Sequence, residues 1–183
     1  MQNAECKMQN EAVSLLYNAV YGGRLFESEG IYKRRCAFEE THLKHTAQLL
    51  HISGTSFDSL CTLCGICEKE GFKKGFNAAA AVLNSSKSVN IKRLYKSYLS
   101  SECVFDAHVL DAYNEFCKRY KNEVGKLPDM QCMTELEELL DEIINNSFFI
   151  GCRTAEAVKS TMGGIMCFIL GEGKTRSKSF IKV

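Results

Sequence analysis

Cys61, Cys64 and Cys67 stand in the run CTLCGIC, two successive C-x-x-C spacings. A bacterial ferredoxin motif opens in the same way, with thiolates gripping iron from a glycine-rich loop. The motif also needs a fourth cysteine followed by proline, and here Glu68, Lys69, Glu70 and Gly71 follow instead. Three-residue spacing equally places the thiols on one face of a helix, where cysteine serves as small apolar filler. The triplet therefore reads as a buried or half-buried cysteine stripe, with no metal and no cofactor expected; iron or zinc binding is the lesser alternative. His42 and His45 lie three apart and are the right residue types to complete a zinc site with those thiols, but no spacing relates them to Cys61. His51 and His108 have no motif around them. The chain has no G-x-S-x-G, Walker loop, H-E-x-x-H or dinucleotide-binding glycine pattern. A protein without catalytic activity is expected.

The remaining candidates are charged. Glu135, Glu137, Glu138, Asp141 and Glu142 crowd the start of the last long helix, where carboxylates complement the positive helix end. Their functional reading is an acidic decoy that faces a basic channel in a protein partner. Lys174, Arg176, Lys178 and Lys182 form a basic tail that reads as a solvated terminus or as a contact to phosphates at the rim of such an interface. Lys87, Lys92, Arg93 and Lys96 gather near the middle of the chain with Tyr95 and Tyr98 between them. Basic residues interleaved with aromatics can follow a nucleic-acid strand, although Leu94 and Tyr98 also make a plain apolar helix face.

Twenty-three basic and 22 acidic side chains leave a formal charge of +1, so no global field gathers nucleic acid or anionic lipid. A length of 183 residues and 45% hydrophobic content fit a folded globule of one domain or two small fused halves. No apolar run approaches the roughly 18 residues that span a bilayer, and no membrane partner is expected. MQNAECKMQNEAV lacks the basic-then-apolar order of a secretory signal. Ten cysteines in such a chain imply reduced thiols and a cytoplasmic location.

One proline, Pro128, and apolar residues recurring at three- and four-residue spacing predict an all-α fold. Helices are expected over about 8–21, 32–51, 56–83, 104–122 and 134–170. Ser56 or Asp58 is a candidate N-cap for the third, and Thr134 with Glu137 has capping-box spacing for the last. Leu94-Tyr95 marks one more helical stretch, and residues 125–129 form a turn.

The chain also repeats itself. FKKGFNAAAAV, from Phe72, returns as FFIGCRTAEAV, from Phe148, about 76 residues later. That spacing sets Leu60 over Leu136, Leu63 over Leu139, Gly75 over Gly151 and Ala79 over Ala155. Leu16-Tyr17 is echoed by Leu94-Tyr95, and Phe38 with Glu40 by Tyr113 with Glu115. Two tandem copies of a helical unit, residues 1–86 and 87–173, forming a compact bundle before a tail at 174–183, are the expected organisation. Gly75 with Ala79, and Gly151 with Ala155, are small-xxx-small faces suited to close helix packing. Closure of the two copies on each other and dimerisation both remain open.

LLYN at Leu15 to Asn18, followed by the glycine-phenylalanine run of Glu70 to Phe76 and its small residues, resembles small helical proteins of clostridial genomes and mobile elements. In that family an L-Y-N opening precedes two helices and an E-x-x-F-x-x-G-x-x-x-A type ending. The resemblance covers about 15–83, with a degenerate second copy from Leu94 to Val158, and brings no catalytic residue with it. Its mobile-element context implies an inhibitor of a bacterial defence effector, such as an anti-CRISPR protein acting on a nuclease by occlusion. A nucleic-acid-binding regulator is the alternative.

Overall fold

The computed structural model describes residues 2–21, 28–44, 54–84, 89–100 and 106–171. All regular structure among them is helical: α1 Gln2–Tyr21, α2 Glu29–His42, α3 Ser56–Leu83, α4 Ile91–Ser100, α5 Ala107–Val124 and α6 Met130–Gly171. None of these helices is long and apolar enough to cross a membrane.

Local chemistry sets the boundaries. Ser28 caps α2 by accepting the amide of Ile31 at 3.3 Å, and the helix stops at His42 rather than running to residue 51. Thr55, not Ser56 or Asp58, caps α3, its hydroxyl accepting the Asp58 amide at 3.2 Å. The Glu123 carboxylate, at the end of α5, adds a tertiary cap by accepting the Ser56 amide at 2.7 Å and the Ser56 hydroxyl. Gly125, with φ of +80°, takes the left-handed conformation that ends α5. Asp129 then starts α6 by accepting the Cys132 amide at 2.9 Å. Thr134 and Glu137 therefore lie inside the helix, and the predicted capping box does not form.

The centre of the molecule is the pair α3 and α6, which run side by side in the same direction. Gly71 meets Ile144, Gly75 meets Phe148, and further along the Lys159 ammonium donates to the Leu83 carbonyl. Gly75 and Gly151 are what allow this approach. A Cβ on Gly75 would lie 2.7 Å from the Phe148 carbonyl carbon, and one on Gly151 would lie 2.8 Å from the Phe76 amide nitrogen. Both glycines are buried, as are Ala79 and Ala155 one turn later, so both small-residue faces are used in one crossing.

The shorter helices cover this pair. α1 lies on α3, α2 on α6, α5 on α3, and α4 against both long helices. One core cluster takes Ile31 and Phe38 from α2, Leu63 and Cys67 from α3, Phe116 from α5, and Leu136 and Leu139 from α6. Phe38 meets Phe116 with ring centroids 6.3 Å apart. Phe116, rather than the half-buried Tyr113, is the aromatic residue of α5 that packs on Phe38. Two outer contacts are alike: Tyr17 of α1 packs on Phe72 at 5.5 Å, and Tyr95 of α4 packs on Phe148 at 5.3 Å.

Candidate functional site

The acidic residues lie from the sixth residue of α6 onward, past a first turn that holds no acid, so they do not complement its positive end as expected; they divide between two faces. Toward α2, Glu135 receives His42 Nε2 at 2.8 Å, while Arg34 reaches Glu138 at 2.9 Å and Glu142 at 2.8 Å. Hydrogen bonds from Gln131 and His42 hold the Glu135 carboxyl below its usual range. Toward α5, Glu137 touches the Tyr113 hydroxyl at 3.4 Å, and Asp141 stands four residues on. Desolvation, followed by the charge of Glu137, raises the Asp141 carboxyl. A like-charge pair at this spacing costs a helix about 0.2–0.5 kcal/mol. Glu137, Glu138 and Asp141 are exposed, so the ridge stays negative outside its pairing with α2.

The cysteine stripe points inward. Cys64 and Cys67 are fully buried and Cys61 is half-buried. Burial, then the charges of Asp141 and Glu70, push the Cys67 thiol up to about 12, so it is an inert thiol rather than a thiolate. Among the described residues no group of three or more His, Cys, Asp or Glu could hold a metal ion. His45 and His51 lie outside the described residues, as do Lys87, Lys174, Arg176, Lys178 and Lys182.

Lys92, Arg93 and Lys96 are exposed on α4. Asn90 caps this helix, its side-chain oxygen accepting the Arg93 amide at 3.1 Å. Lys92 shares an open cleft of about 520 Å³ with Val89, Asn90, Phe149 and Arg153. Phe149 and Arg153 also line a neighbouring cleft of about 350 Å³ under α2, together with Ser28, Ile31, Asn145 and Asn146. Asn145 Oδ1 and Asn146 Nδ2 are buried without a hydrogen-bond partner among the described residues. An unmet buried polar atom costs about 1–3 kcal/mol.

A third cleft, of about 510 Å³, lies between α3 and α5 and is lined by residues including Lys69, Glu70, Lys73, His108 and Asp111. Within it Lys73 is paired with Glu70 at 2.9 Å. Beneath α1, the buried Glu68 accepts the Tyr17 hydroxyl at 3.2 Å.

Sequence reasoning did not single out Glu68, Asn145, Asn146 or Arg153. None carries a chemical motif, and Arg153 enters only as a position of the repeated segment where the two copies differ. The available signal was the i, i+4, i+8 series Asn145, Phe149, Arg153, which sets an amide, a ring and a cation on one helical stripe. Comparisons with family models, curated proteins and solved structures give no match.

Proposed function

We propose that this chain is a duplicated helical unit that acts without catalysis as a binding protein in the cytoplasm, inhibiting a bacterial defence effector such as a CRISPR nuclease by occlusion. The duplication is supported by the reciprocal packing of Gly75 on Phe148 and Gly151 on Phe72, and by the matched pairs Tyr17–Phe72 and Tyr95–Phe148. On this reading an ancestral unit met its own copy, and fusion made both copies one chain.

The acidic ridge carries the inhibitor reading. Glu137 and Asp141 lie side by side and exposed, and desolvation first, then the charge of Glu137, raises the Asp141 carboxyl. A groove built to hold nucleic acid presents the complementary charge. Binding there covers the nucleic-acid path, and the basic tail with Lys174, Arg176 and Lys178 reaches the rim. The test mixes purified chain with each of a panel of RNA-guided nucleases and follows DNA cleavage and complex formation by size-exclusion chromatography. Stoichiometric inhibition that disappears in Glu137→Lys/Asp141→Lys supports the reading. Unchanged cleavage with every effector at molar excess refutes it.

The exposed cations of α4 favour a second reading, a nucleic-acid-binding regulator. Lys92, Arg93 and Lys96 are exposed and make no ion pair among the described residues. Such binding weakens steeply with salt and is lost when the three are neutralised. Salt-insensitive or absent binding sinks it.

A further inference from the structure

We propose that the groove along α6, between the first turn of α2 and the first turn of α4, binds a nucleotide. Its base edge would lie at Asn145 and Asn146, its ring against Phe149, and its phosphate between Arg153 and Lys92. The inference does not depend on the inhibitor reading and shares only Lys92 with the nucleic-acid one.

The two clefts, about 350 and 520 Å³, meet at Phe149 and Arg153, and each falls in the size range of small-ligand sites. The inner cleft is lined by Asn145 and Asn146, whose Oδ1 and Nδ2 are buried with no partner among the described residues, so a turn of each side chain toward the cleft brings an acceptor and a donor into it. A nucleobase edge presents donors and acceptors side by side and can meet both. Exchanging oxygen and nitrogen in both amides together again leaves one acceptor and one donor. Phe149 lines both clefts and offers an apolar ring to a planar ligand.

The outer cleft supplies charge. Arg153 and Lys92 are exposed and form no ion pair among the described residues. Lys92 sits in the first turn of α4, where the backbone adds positive potential. Glu142, the acid that also lines the inner cleft, is engaged by the Arg34 guanidinium at 2.8 Å, so its charge is partly neutralised at the base end. Cations at one end, and a ring with an unmet amide pair at the other, match a phosphate at one end of the ligand and a planar base at the other.

The experiment titrates the ¹⁵N-labelled chain with adenosine 5′-monophosphate, uridine 5′-monophosphate, inorganic phosphate and a 5′-phosphorylated hexanucleotide, while side-chain amide signals and melting temperature are recorded. A nucleoside monophosphate is expected to shift the Asn145 and Asn146 amide signals, with inorganic phosphate binding at least about tenfold more weakly. Arg153→Gln is expected to lower nucleotide affinity about tenfold. Lys92→Gln, at an exposed position that cannot unfold the core, is expected to lower it in the same direction. Asn146→Leu is expected to lose binding while melting unchanged or higher. Tighter binding of the hexanucleotide identifies a strand end as the source, and equal or weaker binding a free nucleotide. Arg93→Gln/Lys96→Gln separates the readings, weakening strand binding along α4 while leaving monophosphate binding as it was. No shift with any probe at millimolar concentration, phosphate binding as tightly as nucleotide, or full affinity in Asn146→Leu overturns the proposal.

Discussion

Gly75→Ala tests the central crossing with the smallest possible change. In an ordinary helix interior the substitution stabilises by about 0.8–1 kcal/mol, because alanine has less backbone freedom to lose. Here the new Cβ would stand 2.7 Å from the carbonyl carbon and 2.9 Å from the Cα of Phe148, both backbone atoms of a buried helix. No side-chain rotation relieves that clash, so α3 and α6 must separate and loosen the contacts of Phe72 and Phe148. Overpacking costs about 1–3 kcal/mol, and rigid backbone on both sides places this site at the upper end. After the propensity gain, a net loss of about 1–2 kcal/mol is expected, or about 2–8 °C in melting temperature for a chain of this size. Gly30→Ala is the control. Its Cβ would meet only the Glu142 side-chain oxygen at 3.3 Å and the Ser28 hydroxyl at 3.9 Å, so a change within about 0.5 kcal/mol is expected. Gly151→Ala should cost as much as Gly75→Ala, and the double variant less than their sum, because one separation relieves both clashes. Urea and thermal denaturation give the numbers. Gly75→Ala melting at or above the parent chain would refute the reasoning.

Alkali should destabilise the fold. Burial first, then nearby carboxylates, pushes the thiols of Cys67, Cys132 and Cys152 up to about 12, from an ordinary 9.0. Above pH 9 the unfolded chain releases these protons while the folded chain keeps them, so their contribution is whole below 9 and falls as pH rises toward 12. A urea midpoint that drops between about pH 8 and about pH 10.5 is expected, with iodoacetamide reaching Cys67 only on unfolding; rapid native labelling of Cys67 counts against its place in the core. Tyr17→Phe should keep the ring contact with Phe72 but remove the hydroxyl that donates to the buried Glu68. A loss of about 1–3 kcal/mol is expected, and an unchanged midpoint would show that the bond contributes nothing.

Most of the helical plan was legible because its causes are local. The apolar series through Leu60, Leu63, Cys67 and Phe72 has helical spacing, and all four residues are fully buried. The boundaries were less legible, since several residue types satisfy a helix start and tertiary contacts choose among them. Ser56 looked like a cap, yet it takes its partner from Glu123, far along the chain. The last helix begins at Met130 because Asp129 caps it, which leaves Thr134 no free amide to accept. Tyr113 and Phe116 lie three apart on α5, and spacing alone does not say which one turns to the core. Contact with α3 and Phe38 selects Phe116, while Tyr113 keeps its hydroxyl near Glu137. The acidic residues were correctly located on one helical segment, but their division between Arg34 and His42 on one side and Tyr113 on the other depends on how α2 and α5 flank α6.

Under the proposed duplication, the third cleft and the inner cleft of the nucleotide groove are one place in two copies. The spacing of about 76 residues sets Lys69 over Asn145, Glu70 over Asn146, Lys73 over Phe149 and Asn77 over Arg153. The cleft between α3 and α5 has charges at the first three of these positions, Lys73 and Glu70 satisfying each other at 2.9 Å, while Asn77, outside that cleft, keeps a buried Oδ1 without a partner among the described residues. The cleft between α2 and α6 has amides at the first two, which leave an acceptor and a donor unmet. Copies that begin identical and share one packing plan are free to diverge where packing does not bind them. Selection for stability alone would close both clefts, because each unmet polar atom works against folding. The first copy keeps one such atom, Asn77 Oδ1, but the second sets its pair beside a ring and two cations in adjoining clefts, and that is where the proposed ligand supplies what the fold leaves out.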